Sequence, residues 1–298
     1  MHNEEIILKE TKAANVRLFI KREDLIHPFV SGNKFRKLKF NIAEAQKLQK
    51  KTLLTFGGAY SNHIAATAYA GYENGLQTIG VIRGEELEEK WENNATLSFA
   101  QKHGMKLYFE TRSNYRKKET SENLKKLQAL FGDFYLIPEG GTNLNAVRGC
   151  EEILSFEEYH FNYICCAVGT GGTIAGLINC SQPRQQVLGF PALKGDFLPT
   201  EIRKFAHDDN WKLNTDYHFG GYAKVNTELI TFINEFKQKT GIPLDPVYTG
   251  KMMFGILDLI KSGYFNEKTE ILAIHTGGLQ GISGMNKRLK QKNLPLIK

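Results

Sequence analysis

The sequence predicts an α/β protein with two open, twisted sheets flanked by helices, and three observations carry that expectation. Short β-branched and aromatic runs alternate with helix-length amphipathic segments from Arg17 to the C-terminus, the pattern of βα units around a mostly parallel sheet. Most of these runs lead into glycine-rich turns. At 298 residues the chain is long enough for two domains, each with its own core.

Strands are expected at Arg17 to Lys21, Thr52 to Phe56, Thr78 to Ile82, Lys106 to Phe109, Phe134 to Ile137, Tyr163 to Val168, Val187 to Phe190 and Ile271 to His275. The segments between them read as helices. In Asn33 to Lys50, for instance, Phe35, Leu38, Ile42, Ala45 and Leu48 recur at helical spacing. No repeat and no Pro/Ser-rich linker divides the chain, so strand grouping must set the division. The four strands between Thr52 and Ile137 group as one small sheet. Those after Tyr163 group as a second, with the N-terminal segment packed on it and a cleft between the two. Open α/β sheets bind ligands beyond the carboxyl ends of their strands, so the chemistry is to be sought in the turns there.

A content of 41% hydrophobic and 24% charged residues is that of a folded protein rather than a disordered one. The longest apolar runs, such as Tyr163 to Val168, are far shorter than a membrane helix requires. The N-terminus carries acidic residues and no apolar core, so no secretory signal is expected and the cytoplasm is the expected location. Cys150, Cys165, Cys166 and Cys180 fall at no metal-ligand spacing and read as buried thiols. The net charge of +7 is spread along the chain, which fits a solvated surface better than a nucleic-acid partner.

Five turns hold the candidate chemistry. In Ser31-Gly32-Asn33-Lys34 the lysine emerges at a helix start, where the positive end of the helix favours a free amine; the alternative is a solvated surface lysine. Phe56 to His63 (FGGAYSNH) lets the backbone approach a ligand, and Ser61 and Asn62 either cap the following helix or turn to a bound anion. His63 is either a base or a polar residue in the first turn. Strand Tyr163 to Val168, then Gly169-Thr170-Gly171-Gly172-Thr173, then a small-residue helix, reads as a phosphate cradle in which backbone N–H groups, two hydroxyls and a helix N-terminus converge; the alternative is a structural glycine-rich turn. A dinucleotide fingerprint would place glycine where Ile174 stands, and no lysine follows as a Walker loop requires. The fourth turn is Asp245 to Lys251 (DPVYTGK), where Tyr248 serves as acid or base or simply packs, and the fifth is His275 to Gly278.

Taken in order, GNKFRKLKF, the SNH turn, PEGGTN (Pro138 to Asn143), GTGGT, DPVYTGK and HTGG resemble the family of 1-aminocyclopropane-1-carboxylate deaminases and D-cysteine desulfhydrases. These are pyridoxal-phosphate enzymes of the tryptophan-synthase-β-like fold, and the likeness runs from about Lys21 to Gly278. The resemblance implies pyridoxal 5'-phosphate as cofactor, a small amino acid as substrate and a homodimer. It divides the chain into a large domain (1–44 plus 146–298) and a small one (45–145). Lys34 would be the Schiff-base lysine, Asn62 would meet the cofactor's ring hydroxyl, and Gly169, Thr170, Gly171, Gly172 and Thr173 would bind its phosphate. Ser61 would face the substrate carboxylate, and Tyr248 and Ser61 would assist Lys34 in proton transfer. Deaminases of the family carry Glu after the tyrosine of the VY motif and Leu before the last glycine pair. This chain has Thr249 and Thr276, which points to the desulfhydrase branch and to β-elimination from D-cysteine. The deaminase activity and a non-catalytic binding protein of the same fold are the rival readings. Tyr60 stands where many members have Gln, a departure beside the substrate site.

Overall fold

The computed structural model describes residues 1–298. Its strands, in chain order, are β1 (Asn3–Ile6), β2 (Arg17–Lys21), β3 (Thr52–Gly57), β4 (Gln77–Arg83), β5 (Met105–Glu110), β6 (Tyr135–Ile137), β7 (Tyr163–Val168), β8 (Gln186–Pro191), β9 (Trp211–Leu213) and β10 (Glu270–Ile274). The helices are α1 (Lys9–Ala13), α2 (Asn33–Lys47), α3 (Asn62–Glu73), α4 (Ala95–Lys102), α5 (Arg112–Tyr115), α6 (Ser121–Phe131), α7 (Leu144–Glu151), α8 (Gly172–Cys180), α9 (Leu198–Arg203), α10 (Thr227–Thr240), α11 (Thr249–Lys261) and α12 (Gly281–Gln291). No helix is long and apolar enough to cross a membrane.

Two sheets result, one in the order β1-β2-β10-β7-β8-β9 and the other β5-β4-β3-β6. Every pairing is parallel except β1 with β2. The eight expected strands lie within one residue of their expected ends. β1 and β9 were not expected, and both are edge strands.

Burial on both faces explains the unbroken apolar run of β7. Cys165 and Ala167 face a core shared with Ile230, Ile233 and Ile256 of α10 and α11, while Ile164, Cys166 and Val168 face Ile174 and Ile178 of α8. The small sheet is covered in the same way. Leu53 packs with Leu38, Ile42 and Ala45 of α2 and Ala66 and Ala70 of α3, whereas Leu54, Phe56 and Val81 pack with Tyr115 and Leu127. The apolar face of α2 thus belongs to the small sheet's core, although a division at residue 45 cuts through this helix. Its last turn closes with Gln49 in a left-handed conformation, three residues short of the expected end at Lys50.

Small residues draw three helices together beneath the cleft. A Cβ on Gly149 of α7 would fall 1.9 Å from the Arg36 carbonyl oxygen of α2, and one on Gly176 of α8 would fall 2.5 Å from the Cys150 Cβ of α7. This close approach brings the N-termini of α2 and α8 side by side, where Asn33 Nδ2 donates to Thr173 Oγ1 at 2.8 Å. Two positive helix ends then share one space.

Candidate active site

Segments at the carboxyl ends of β3, β6, β7 and β10, the start of α2 and the turn between α10 and α11 together enclose a cavity. Its wall includes Lys34, Asn62, Gly169, Thr170, Gly171, Thr173, Tyr248 and Thr276. Eight of the eleven expected residues therefore meet in one place. Gly172, Ser61 and Thr249 are not among the residues that line it, although each adjoins a lining residue in the chain.

Lys34 is the second residue of α2, and its Nζ donates to the Gly140 carbonyl oxygen at 3.2 Å. Three residues on, the same helix face carries Lys37, whose Nζ donates to the same oxygen at 3.1 Å and to Thr142 Oγ1 at 3.1 Å. Gly140 has φ +69°, a conformation that glycine adopts freely and that aims its carbonyl at both ammonium groups. Neither lysine has a carboxylate partner. Burial holds the Lys34 amine well below the usual lysine range, and the positive charge of Lys37 pushes it further the same way. Burial also lowers Lys37. Two buried lysines beside two helix N-termini suit an anion.

The glycine loop after β7 supplies the complementary surface. A Cβ on Gly172 would lie 2.8 Å from Thr142 Oγ1 and 3.2 Å from Lys37 Nζ, so only glycine leaves the first turn of α8 open to a ligand there. Thr170 and Thr142 hydroxyls bond each other at 2.6 Å across the mouth of this loop. Thr173 accepts the Asn33 bond, and its hydroxyl also lies within reach of the buried Cys150 thiol. These donors, the two lysines and the helix ends fit a phosphate dianion.

Asn62 opens α3 with its carboxamide on the cavity wall and next to Gly278. Ser61 caps α3: its Oγ accepts the Ile64 N–H at 3.3 Å, which leaves the hydroxyl proton available. His63 lies behind the wall and is 2% exposed. The Thr55 hydroxyl donates to the Ile137 carbonyl oxygen, so it accepts from His63 Nε2–H at 2.8 Å. Burial and the charges of Lys34 and Lys37 hold this imidazole neutral, well below its usual range.

On the opposite side the Tyr248 ring lies against Gly169, where a Cβ would be 3.2 Å from Cε1. Burial pushes its phenol well above the usual tyrosine range, and Tyr222 and Asp245 act in the same direction. Tyr248 therefore keeps its proton at neutral pH. Thr249 is fully buried; its hydroxyl donates to Asp245 Oδ1 at 2.8 Å and accepts the Asp245 N–H at 2.9 Å. The Asp245 carboxylate also takes the N–H groups of Val247, Tyr248 and Thr249 at the start of α11. Both of its oxygens are thus engaged at the helix end. His275 fixes the last turn by donating through Nε2 to the Pro243 carbonyl oxygen at 2.8 Å and accepting the Gly277 N–H at 3.2 Å. Tyr60 lies against α12, where Gly284 leaves room for its ring.

Sequence reasoning missed Lys37 and Tyr222. The recurrence of lysine at i and i+3 on a helix opening was the available signal for Lys37. Tyr222 had none, because it comes from an irregular segment and meets Tyr248 only through the fold, edge-on with centroids 6.3 Å apart.

Comparison with known proteins agrees with this geometry. The profile of the family described as pyridoxal-phosphate dependent enzyme matches residues 7–277. A Pyrococcus horikoshii protein provisionally named 1-aminocyclopropane-1-carboxylate deaminase is 33% identical over 290 residues, covering 89% of this chain and 85% of its own. The Arabidopsis thaliana bifunctional D-cysteine desulfhydrase/1-aminocyclopropane-1-carboxylate deaminase is 31% identical over 292 residues, covering 89% and 73%. A crystal structure of an ACC deaminase homologue superposes with a TM-score of 0.85 at 27% identity, covering 97% of this chain and 93% of that one. The anion-seeking lysine pair, the glycine cradle and these relatives converge: the chain belongs to the pyridoxal-phosphate dependent enzymes, within the family of 1-aminocyclopropane-1-carboxylate deaminases and D-cysteine desulfhydrases.

Proposed function

We propose that this enzyme is a β-eliminating lyase whose substrate is D-cysteine, converted with water to pyruvate, sulfide and ammonia. The observation that carries the reading is the absence of an available carboxylate at the Tyr248 side of the cavity. Position 249 is a neutral threonine, and the nearby Asp245 carboxylate is taken up by four hydrogen bonds. A carboxylate there would strengthen the electron sink that opening a cyclopropane demands, and elimination of a good leaving group demands less.

Residues 169–173 and Lys37 would hold the phosphate of pyridoxal phosphate, which would supply an aldehyde for Lys34 and a conjugated ring able to draw electrons from a substrate Cα. The lowered basicity of Lys34 keeps a fraction of its amine neutral, and so able to attack a carbonyl and later to take the Cα proton on Nζ. Tyr248, held protonated, is the donor for the departing sulfur. Asn62, on the cavity wall, would hold the cofactor ring, and Ser61, whose Oγ accepts the Ile64 N–H, would offer its proton to the substrate carboxylate. We further propose that the enzyme works as a homodimer in the cytoplasm.

The reading is tested by assaying pyruvate and sulfide from D-cysteine beside 2-oxobutanoate from 1-aminocyclopropane-1-carboxylate. The expected outcome is a kcat/KM at least about 10-fold higher for D-cysteine, the scale of one lost polar interaction in a transition state. A preference for the cyclopropane would overturn it. Lys34→Ala is expected to abolish the visible absorbance of the holoenzyme with the fold retained by circular dichroism.

A further inference from the structure

A second cleft opens at the carboxyl end of β4, lined by Arg83, Arg112, Tyr115, Arg116, Lys118 and Glu139. Two of its cations are already matched: Arg112 pairs with Glu86, and Lys118 with Glu139 at 3.1 Å. Arg83 and Arg116 pair with nothing, and both side chains are exposed at the rim. The Tyr115 hydroxyl is the second anomaly. The residue is 3% exposed, and its oxygen, buried beside the Glu139 carboxylate, meets no acceptor in good hydrogen-bond geometry. Its ring holds cations close, with the Arg83 guanidinium 5.9 Å and Lys118 Nζ 5.1 Å from the centroid.

The cleft adjoins the active site without sharing a lining residue with it. Glu139 precedes Gly140, whose carbonyl receives Lys34 and Lys37. The Arg83 Nη2 lies 3.5 Å from where a Cβ on Gly58 would be, over the loop that leads to Ser61 and Asn62. The charges of Arg83 and Glu139 also reach Tyr222, which meets Tyr248 edge-on.

We propose that this cleft binds a small doubly charged oxyanion of the phosphate class between Arg83 and Arg116, with the Tyr115 hydroxyl as the neutral donor. Two unmatched guanidiniums call for two negative charges, and the planar fork of arginine matches adjacent oxygens of a tetrahedral anion. A desolvated donor that its carboxylate neighbour does not engage in good geometry gains a bond when it turns to a bound anion. The anion is either free inorganic phosphate or a phosphate carried on the side chain of an amino-acid substrate. The second source rests on the lyase reading; there the Cβ–O bond breaks and phosphate departs with the electron pair.

Calorimetric titration of the holoenzyme with inorganic phosphate tests the site while the cofactor occupies the glycine cradle. One site is expected, weakened at least about 5-fold in Arg83→Gln and in Arg116→Gln, lost in the double variant, and weakened about 3-fold in Tyr115→Phe. Cofactor absorbance should be the same in all of them. No phosphate binding, or binding unchanged in the double variant, overturns the proposal. The source is read from turnover of D-serine O-phosphate beside D-serine. A preference for the phosphorylated substrate that collapses in Arg83→Gln assigns the anion to the substrate, and phosphate binding without such a preference assigns it to the free ion. An enzyme inactive on every amino acid offered would sink the lyase reading and leave the calorimetric result standing.

Discussion

Lys34 and Lys37 act on each other because both ammonium groups share one carbonyl oxygen and neither has a carboxylate. Burial is the larger cause of the lowered Lys34 basicity and the charge of Lys37 the next. Lys37→Met removes the second cause only. Lys34 is then expected to hold its proton to higher pH, so that cofactor loading of the apoenzyme, followed by absorbance across a pH series, moves its midpoint upward. Cofactor affinity should fall about 10-fold or more in the same variant as one charge-assisted bond to the phosphate is lost. An unmoved midpoint would mean that the two charges do not interact. The sequence made Lys34 legible because a helix opening and a Ser-Gly-Asn turn precede it. Lys37 reads as an ordinary amphipathic-helix lysine until α7 and α8 are seen to close over it. Thr249 and Thr276 differ in the same way. Both are hydroxyls beside glycine in the sequence, but only Thr276 reaches the cavity, because the proton of Thr249 is committed to Asp245.

The elements that hold the site in place depend on charges as well as on apolar faces. Lys21, at the end of β2, donates to Glu158 at 2.6 Å, with side chains 5% and 0% exposed. Asn3 of β1 donates to the same carboxylate oxygen, and Ser155 binds the other one. Burial raises the Glu158 pKa, and these bonds outweigh it, so the net shift is downward from 4.5. A carboxylate held below its unfolded value stabilises the fold above that value and loses the contribution as pH falls through the folded one. Glu158→Gln leaves Lys21 charged and unmatched, which should cost about 3–5 kcal/mol at pH 7. Urea denaturation at pH 7 and at pH 3 should show that gap narrowing in acid, as the wild-type carboxyl is protonated. A gap of equal size at both pH values would refute the ion pair's role. The same region shows why β1 escaped the sequence reading. Its run Asn-Glu-Glu-Ile lacks alternation, and its glutamates are satisfied across the edge by Arg17 at 2.9 Å and Arg22 at 3.0 Å. Edge strands are commonly charged in this way, which hides them from hydrophobic patterning. β9, only three residues long, carries too little pattern to be seen. The buried parallel strands, by contrast, announce themselves through apolar runs and terminal glycines.

At the scale of the molecule, the cavity wall is drawn from both sheets. Asn62 and Gly140 follow strands of the small sheet, residues 169–173 and 276–278 follow strands of the large one, and α2 contributes Lys34 while its apolar face packs on the small sheet. A ligand that touches all three ties the sheets together, which makes cofactor binding a stability measurement as well as a functional one. At a free cofactor concentration about 100-fold above its dissociation constant the native state gains about 2.7 kcal/mol. For a chain of 298 residues, larger than those where 1 kcal/mol moves Tm by about 2–4 °C, the rise should be about 4–5 °C. Calorimetry is expected to show one transition that climbs with pyridoxal phosphate concentration, and a much smaller climb in Lys34→Ala, which can bind the phosphate but cannot form the covalent bond. Two transitions, of which only one responds, would instead place the cofactor on a single sheet and leave the other an independent unit. The coupling expected here follows from α2, which carries the lysine at one end and the small sheet's core along its length, so that the bond to the cofactor cannot form without fixing both.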